Sequence, residues 1–257
     1  MLNLEQIKAF YPPNLHKFDQ FLFKEYLQYL ILKIIFESKF APKLSFLWGT
    51  NLRIVHNNSR FSEDLDFDNF GLREDEFETL SEIVKDGLEK LWFEVDSKNV
   101  YKWAYRMYIR LPKILKELWF SQYEEEKILI QIDTVSHDFP YVPETKMLTK
   151  FGLAFRILAT PLPILLSQKY YAIFNRKRSK WRDYFDIVFL LSLTEPNMEY
   201  LRQKIGEYSK AGLKKRVLEH CESLNLKSLS EDVEIFLFDR SGKDGILYFP
   251  EIIRERL

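Results

Sequence analysis

The sequence predicts an α+β protein, with a mixed sheet flanked by helices and then a helical C-terminal half. Three observations predict it. Strand-like apolar runs, turn residues and helix-period stretches alternate through residues 1–158. After Pro161 and Pro163 the apolar spacing becomes helical throughout. A hydrophobic content of 46% over 257 residues supplies a sizeable core and excludes a disordered chain. Residues 1–158 are therefore expected to form a sheet-containing domain with an N-terminal helix, and residues 159–257 a helical domain.

In chain order, the apolar residues at 15–39 recur at helical spacing behind Pro12-Pro13, which predicts a long amphipathic helix. Residues 44–48 form a short apolar run ending at Gly49-Thr50, and 51–56 read as the first turns of a helix. Asn57-Asn58-Ser59 is turn chemistry. An acidic strand is expected at 64–70, an amphipathic helix at 74–91, and β-like runs at 93–95, 101–111 and 127–135. The helical half reads as segments at 164–175, 182–193, 198–207, 213–223 and 230–237.

Charge and targeting signals narrow the function. The 38 basic and 38 acidic residues cancel, so any anionic partner must be recognised by a local patch rather than a global field. The first residues lack the charged and apolar regions of a signal peptide, and no apolar stretch is long enough to span a bilayer. With its one cysteine, Cys221, the chain reads as a soluble protein of a reducing cytoplasm with no membrane partner.

The most informative stretch is Phe61-Ser62-Glu63-Asp64-Leu65-Asp66-Phe67-Asp68. On a strand, Asp64, Asp66 and Asp68 share one face while Leu65 and Phe67 share the other. Carboxylates crowded in this way repel unless a cation compensates them, and Mg²⁺ is commonly held by one or two carboxylates plus substrate phosphates. Mn²⁺ would serve as well. Asp68 lies farther along and is expected to be solvated. Ahead of the strand, Gly49-Thr50 offers a close backbone approach, a hydroxyl donor and a helix N-terminus to an anion. Asp133, near the end of the 127–135 run, could complete a carboxylate triad that binds metal or takes a proton from an attacking hydroxyl.

A basic cluster follows in the helical half: Lys169, Arg176, Lys177, Arg178, Lys180 and Arg182. Helical spacing from Leu165, Leu166 and Ile173 places Lys169 in a partly buried position, where a substrate phosphate or a carboxylate would serve as partner. Asp183 can cap the next helix or hold a basic side chain, and Asp186 lies one turn on. The aromatics between 101 and 108 alternate with Lys102, Arg106 and Arg110 and could stack on bases, although strand packing also explains them. No nucleophile elbow, Walker loop or Cys-x-x-Cys is found.

The order of these motifs resembles the AbiEii/AbiGii-type nucleotidyltransferase toxins. The resemblance rests on Trp48-Gly49-Thr50-Asn51-Leu52-Arg53, on Arg60-Phe61-Ser62-Glu63-Asp64-Leu65-Asp66-Phe67, and on the block from Ala159-Thr160-Pro161 through Lys169 and Arg176 to Arg182-Asp183-Tyr184-Phe185-Asp186. It implies a polymerase-β-like nucleotidyltransferase fold and a toxin of a bacterial toxin–antitoxin or phage-defence system, partnered by an antitoxin. Its activity would be transfer of NMP from an NTP to an acceptor such as a tRNA 3′ end, with kinase-like phosphotransfer or non-catalytic RNA or antitoxin binding as alternatives. On this chain the resemblance implies that Asp64 and Asp66 bind Mg²⁺ and that Gly49, Thr50, Arg53, Ser62, Lys169, Arg176 and Arg182 contact the nucleotide. Asp183 would be the acidic member of the Arg-Asp pair, and by analogy with the fold Asp133 would be a third metal ligand. The chain departs from the family's pattern at Trp48, where a glycine is usual, and a bulky residue there narrows the loop.

Overall fold

Alternating burial along short β-branched and aromatic runs builds one seven-stranded sheet. A computed structural model describes residues 1–102, 104–112, 114 and 127–257. Its strands are β1 (Leu44–Leu47), β2 (Leu65–Asn69), β3 (Asp96–Tyr101), β4 (Tyr105–Leu111), β5 (Ile128–Val135), β6 (Glu144–Lys150) and β7 (Leu153–Ala159), in the spatial order β3-β4-β5-β2-β1-β7-β6. β2 lies near the middle, antiparallel to β1 and parallel to β5. β1 pairs with β7 in parallel, and β3–β4 and β6–β7 are antiparallel hairpins.

One face of the sheet is apolar. Ile128, Ile130 and Ile132 of β5 and Met107, Ile109 and Leu111 of β4 are buried on it. Helix α4 (Glu74–Glu89) packs on β3 and β4 through a stripe of Phe77, Leu80, Val84 and Leu88 at helical spacing. Helix α2 (Asp19–Glu37) packs against β7 and α4. A short helix α1 (Leu4–Lys8) opens the chain with an Asn3–Gln6 capping box.

By the distribution of their contacts the residues form two units. The first is Met1–Asn51 with Ser62–Ala159 and holds the whole sheet; the second is Leu52–Phe61 with Thr160–Leu257. The chain passes from the first to the second inside helix α3 (Trp48–His56). The second unit is helical: α5 (Leu162–Asn175), α6 (Trp181–Leu191), α7 (Met198–Ile205), α8 (Lys210–Glu222), α9 (Leu226–Glu231), α10 (Asp244–Leu247) and α11 (Phe249–Arg256). No helix among the described residues is long and apolar enough to cross a membrane.

The structure corrects several boundaries. The acidic strand begins at Leu65, so Asp64 lies just ahead of it. The run at 93–95 is not a strand, and β3 starts at Asp96; the run at 101–111 spans a turn before β4, with Trp103 outside the described residues. The helix expected at 230–237 stops at Glu231, and α7 stops early because Gly206 takes φ 69° and caps it in the left-handed region. The helices beyond residue 243 were not expected from spacing.

The β6–β7 hairpin also escapes sequence reading. Its two-residue loop, Phe151-Gly152, has φ of 60° and 74°, the pattern of a type I′ turn. Phenylalanine is an unusual choice there, and its ring is held edge-on by Phe10, Tyr26 and Tyr29 at 5.1–5.2 Å.

The core around β2 yields a test. Phe67 is 1% exposed and its ring lies 5.5 Å from Phe46 and 6.0 Å from Phe36. Phe67→Ala should lower the free energy of unfolding by about 3–5 kcal/mol, read from urea denaturation.

Candidate active site

Burial of Leu65 and Phe67 under the helices turns the intervening carboxylates to the opposite face, where Asp64 and Asp66 are both half-buried. The loop leading into them is fastened from two sides. Gln28 of α2, 1% exposed, donates through Nε2 to the carbonyls of Ser62 at 2.9 Å and Glu63 at 3.0 Å. Thr50 Oγ1 bonds Ser62 Oγ at 2.9 Å and donates to the Asp64 carbonyl. Thr50 is fully buried, so the hydroxyl expected to face a phosphate instead fixes the main chain at Asp64.

Gly49 and Thr50 lie inside the first turn of α3, which starts at Trp48, three residues earlier than the spacing implied. Leu47, the last residue of β1, stands opposite Asp66 in the β1–β2 ladder, so the N-terminal turn of α3 follows directly beside Asp66. Trp48 makes the turn with φ 60°, the left-handed region that favours glycine, and its ring meets His137 edge-on at 5.5 Å. Asp64 also lines a cavity of about 360 Å³ together with Phe21, Lys24, Glu63, Lys127 and Leu129. Lys24 Nζ pairs with Glu63 at 3.0 Å.

Asp68 is not solvated. It is 1% exposed and accepts from the His137 backbone N–H at 3.0 Å and from the Tyr141 hydroxyl at 2.9 Å. Asp133 stands in register with Asp66 across the parallel β2–β5 pair. It is held by Arg106, whose Nε lies 2.6 Å from Oδ1 and Nη2 2.8 Å from Oδ2, and by Gln131 Nε2 at 2.9 Å from Oδ2. Donation to the Asp133 carboxylate holds the Arg106 guanidinium further above its ordinary range. Arg106, one of the basic residues interleaved with the aromatics that could stack on bases, is the partner of this carboxylate.

In the second unit Lys169 sits in a buried network, while Lys177, Arg178 and Lys180 are exposed. Lys169, 5% exposed, lies 3.1 Å from Asp183 and 2.8 Å from Asp186. Of the two partners open to it, carboxylates are the ones present. Arg176 pairs with the other Asp183 oxygen at 3.2 Å and keeps a third of its side chain exposed. Arg182 is half-buried in the first turn of α6. Arg53 is folded inward, with its guanidinium 4.4 Å from the Phe238 ring and Nη1 3.3 Å from the Asn58 carbonyl.

Sequence reasoning missed the centre of this network. Arg60, 1% exposed, grips Asp186 with Nε–Oδ1 at 2.8 Å and Nη2–Oδ2 at 2.7 Å, and Asn58 donates to Asp186 at 3.1 Å. The available signal was the spacing of Asp183 and Asp186, which sets both on one helix face.

A family model described as "Nucleotidyl transferase AbiEii toxin, Type IV TA system" matches residues 30–241. The chain belongs to the AbiEii nucleotidyltransferase toxin family. As an AbiEii member it is a nucleotidyltransferase with an NTP substrate and, as the toxin of a type IV toxin–antitoxin system, an antitoxin counterpart. A similar fold is seen in two solved structures from Helicobacter pylori. JHP933 is 19% identical with a TM-score of 0.57, the match covering 92% of this chain and 91% of that one. A second protein, described as a candidate nucleotidyltransferase, is 20% identical with a TM-score of 0.58 and coverage of 92% and 94%. At these identities the likeness is one of fold. No curated protein matches the chain.

The Arg60–Asp186 pair predicts an acid-labile stability term. Burial pushes the Asp186 carboxyl up, but Arg60 and Lys169 outweigh it and bring it down to about 2. An unfolded aspartate titrates near ~3.9, so this contribution is present above about pH 4 and is lost as pH falls toward about 2. The thermal midpoint of the wild type should fall more steeply through that window than that of Asp186→Asn. Arg60→Ala, which strips the carboxylate of its main partner, should cost about 3–5 kcal/mol near neutral pH, read by chemical denaturation.

Proposed function

We propose that this AbiEii protein transfers NMP from an NTP to the 3′-terminal hydroxyl of an RNA acceptor such as a tRNA. Its setting would be the bacterial cytoplasm, as the toxin of a phage-defence pair. The observation that carries the reading is the register of Leu47 against Asp66. It sets the N-terminal turn of a nine-residue helix beside a pair of carboxylates, and such a turn offers backbone N–H groups to an anion.

The donor set suits a hard divalent cation of the Mg²⁺ or Mn²⁺ type. Asp64 and Asp66 are two carboxylates two residues apart, and among the described residues no group of three His, Cys, Asp or Glu side chains forms a ready-made cage. A cation held this way relies on substrate phosphates for its remaining ligands. When bound it would offset the triphosphate charge and polarise the α-phosphorus.

The chain's own residues supply the rest. Gln28 and Thr50 hold the main chain of residues 62–64, so Asp64 meets the substrate without reorganisation. The α3 N-terminus receives phosphate oxygens. The cavity at Asp64, lined by Phe21, Leu129 and the two lysines, admits a planar ring and a phosphate. Within the second unit Arg176 and Arg182 keep exposed surface beside the exposed Lys177, Arg178 and Lys180, a local basic patch suited to an RNA backbone. The acceptor hydroxyl replaces pyrophosphate at the α-phosphorus.

The test is incubation with total RNA and each labelled NTP in turn. Asp64→Ala and Asp66→Ala should each lower incorporation by about a hundredfold or more. Product mass should show an added nucleotide; an added phosphate, or incorporation that survives Asp64→Ala, overturns the reading.

A further inference from the structure

Three side chains stand in one row across the first unit's sheet. Asp66 of β2 is in register with Asp133 of β5, and Asp133 is in register with Arg106 of β4. Adjacent strands are about 4.8 Å apart, so two carboxylates in neighbouring positions repel unless a cation compensates one of them.

For Asp133 the cation is already part of the chain. Arg106 meets it as a two-pronged fork at 2.6 and 2.8 Å, and Gln131 adds a third bond to Oδ2 at 2.9 Å. Arg106 is steadied in turn by Tyr108, with Nη1 3.4 Å from the hydroxyl and the guanidinium 5.9 Å from the ring centre. The pair is largely withdrawn from solvent, with 29% of the arginine and 17% of the aspartate side chain exposed. A guanidinium cannot give up its proton, and a bidentate charge-assisted pair is among the strongest hydrogen-bonded arrangements. A cation bound at about 2.0–2.1 Å would have to expel the fork or crowd onto the one remaining lone pair of Oδ1.

We propose that Asp133 is the fixed partner of Arg106 and not a metal ligand: Arg106 supplies the positive charge that a third carboxylate would otherwise draw from a cation, and the metal site consists of Asp64 and Asp66 alone. The inference rests on the nucleotidyltransferase reading of those two residues.

The test is a Mn²⁺ titration of the full chain, with free Mn²⁺ followed by electron paramagnetic resonance and the fold followed by thermal melting. The wild type should bind a single Mn²⁺. Asp66→Asn should weaken binding by about tenfold or more. Arg106→Gln frees a carboxylate beside Asp66, so affinity should rise or a second ion should enter. The double variant Arg106→Gln/Asp133→Asn removes both charges together, leaves no unpaired guanidinium beside Asp66, and should bind as the wild type does. A loss of about tenfold or more in the double variant, with melting unchanged, overturns the inference while sparing the two-carboxylate site. Absence of Mn²⁺ binding by the wild type, or indifference to Asp66→Asn, overturns that site and the inference with it.

Discussion

The position of β2 in the sheet governs everything else the first unit does. Leu65 and Phe67 are buried almost completely, and a strand alternates sides with a period of two. A slip of one residue would put both carboxylates into the core and both apolar side chains outside it, at a cost no local contact could offset. Hydrophobic burial thus orients Asp64 and Asp66 before any catalytic requirement is considered. The neighbours then refine that placement. β1 brings the start of α3 beside Asp66, β5 brings Asp133 into its row, and Gln28 and Thr50 hold the approach to Asp64.

The second unit follows a different rule. Its helices enclose Arg60, Lys169, Asp183 and Asp186, all nearly inaccessible to water. Buried ions are tolerated only when their partners are close and well oriented, and here each acid meets at least two cations. Such a network adds little net stability over an apolar core, but it admits one arrangement of its members. Residues 58–60, drawn from far earlier in the chain, are thereby fixed against α5 and α6 within the same unit.

Trp48 is where local preference yields to the fold. A tryptophan in the left-handed region is strained by about 1–2 kcal/mol, and the turn from β1 into α3 imposes that conformation. Glycine would adopt it freely, which explains the family's usual residue at this position. Contact of the indole with His137 returns part of the cost. Strain of this kind concentrates at functional sites.

Periodicity and turn chemistry were enough to read the α+β class, the acidic strand and the helical C-terminal half, because each depends on local patterns of burial, whereas the family was read from the resemblance of its motifs. The β6–β7 hairpin was illegible because its turn uses phenylalanine where the common signal is asparagine or aspartate before glycine. Sequence also could not say which ionisable groups would meet. Lys169 was assigned a partner of either phosphate or carboxylate, and only the packing of α5 against α6 supplied two aspartates. Arg106 and Asp133 are 27 residues apart and became partners through strand register. Segment 52–61 joined the helical unit through Arg60, whose partner lies 126 positions away. Local sequence determined which chemical groups are present and which way each strand faces. Tertiary structure decided which charges neutralise one another, because electrostatic pairing depends on distance in space and on burial, neither of which is written along the chain.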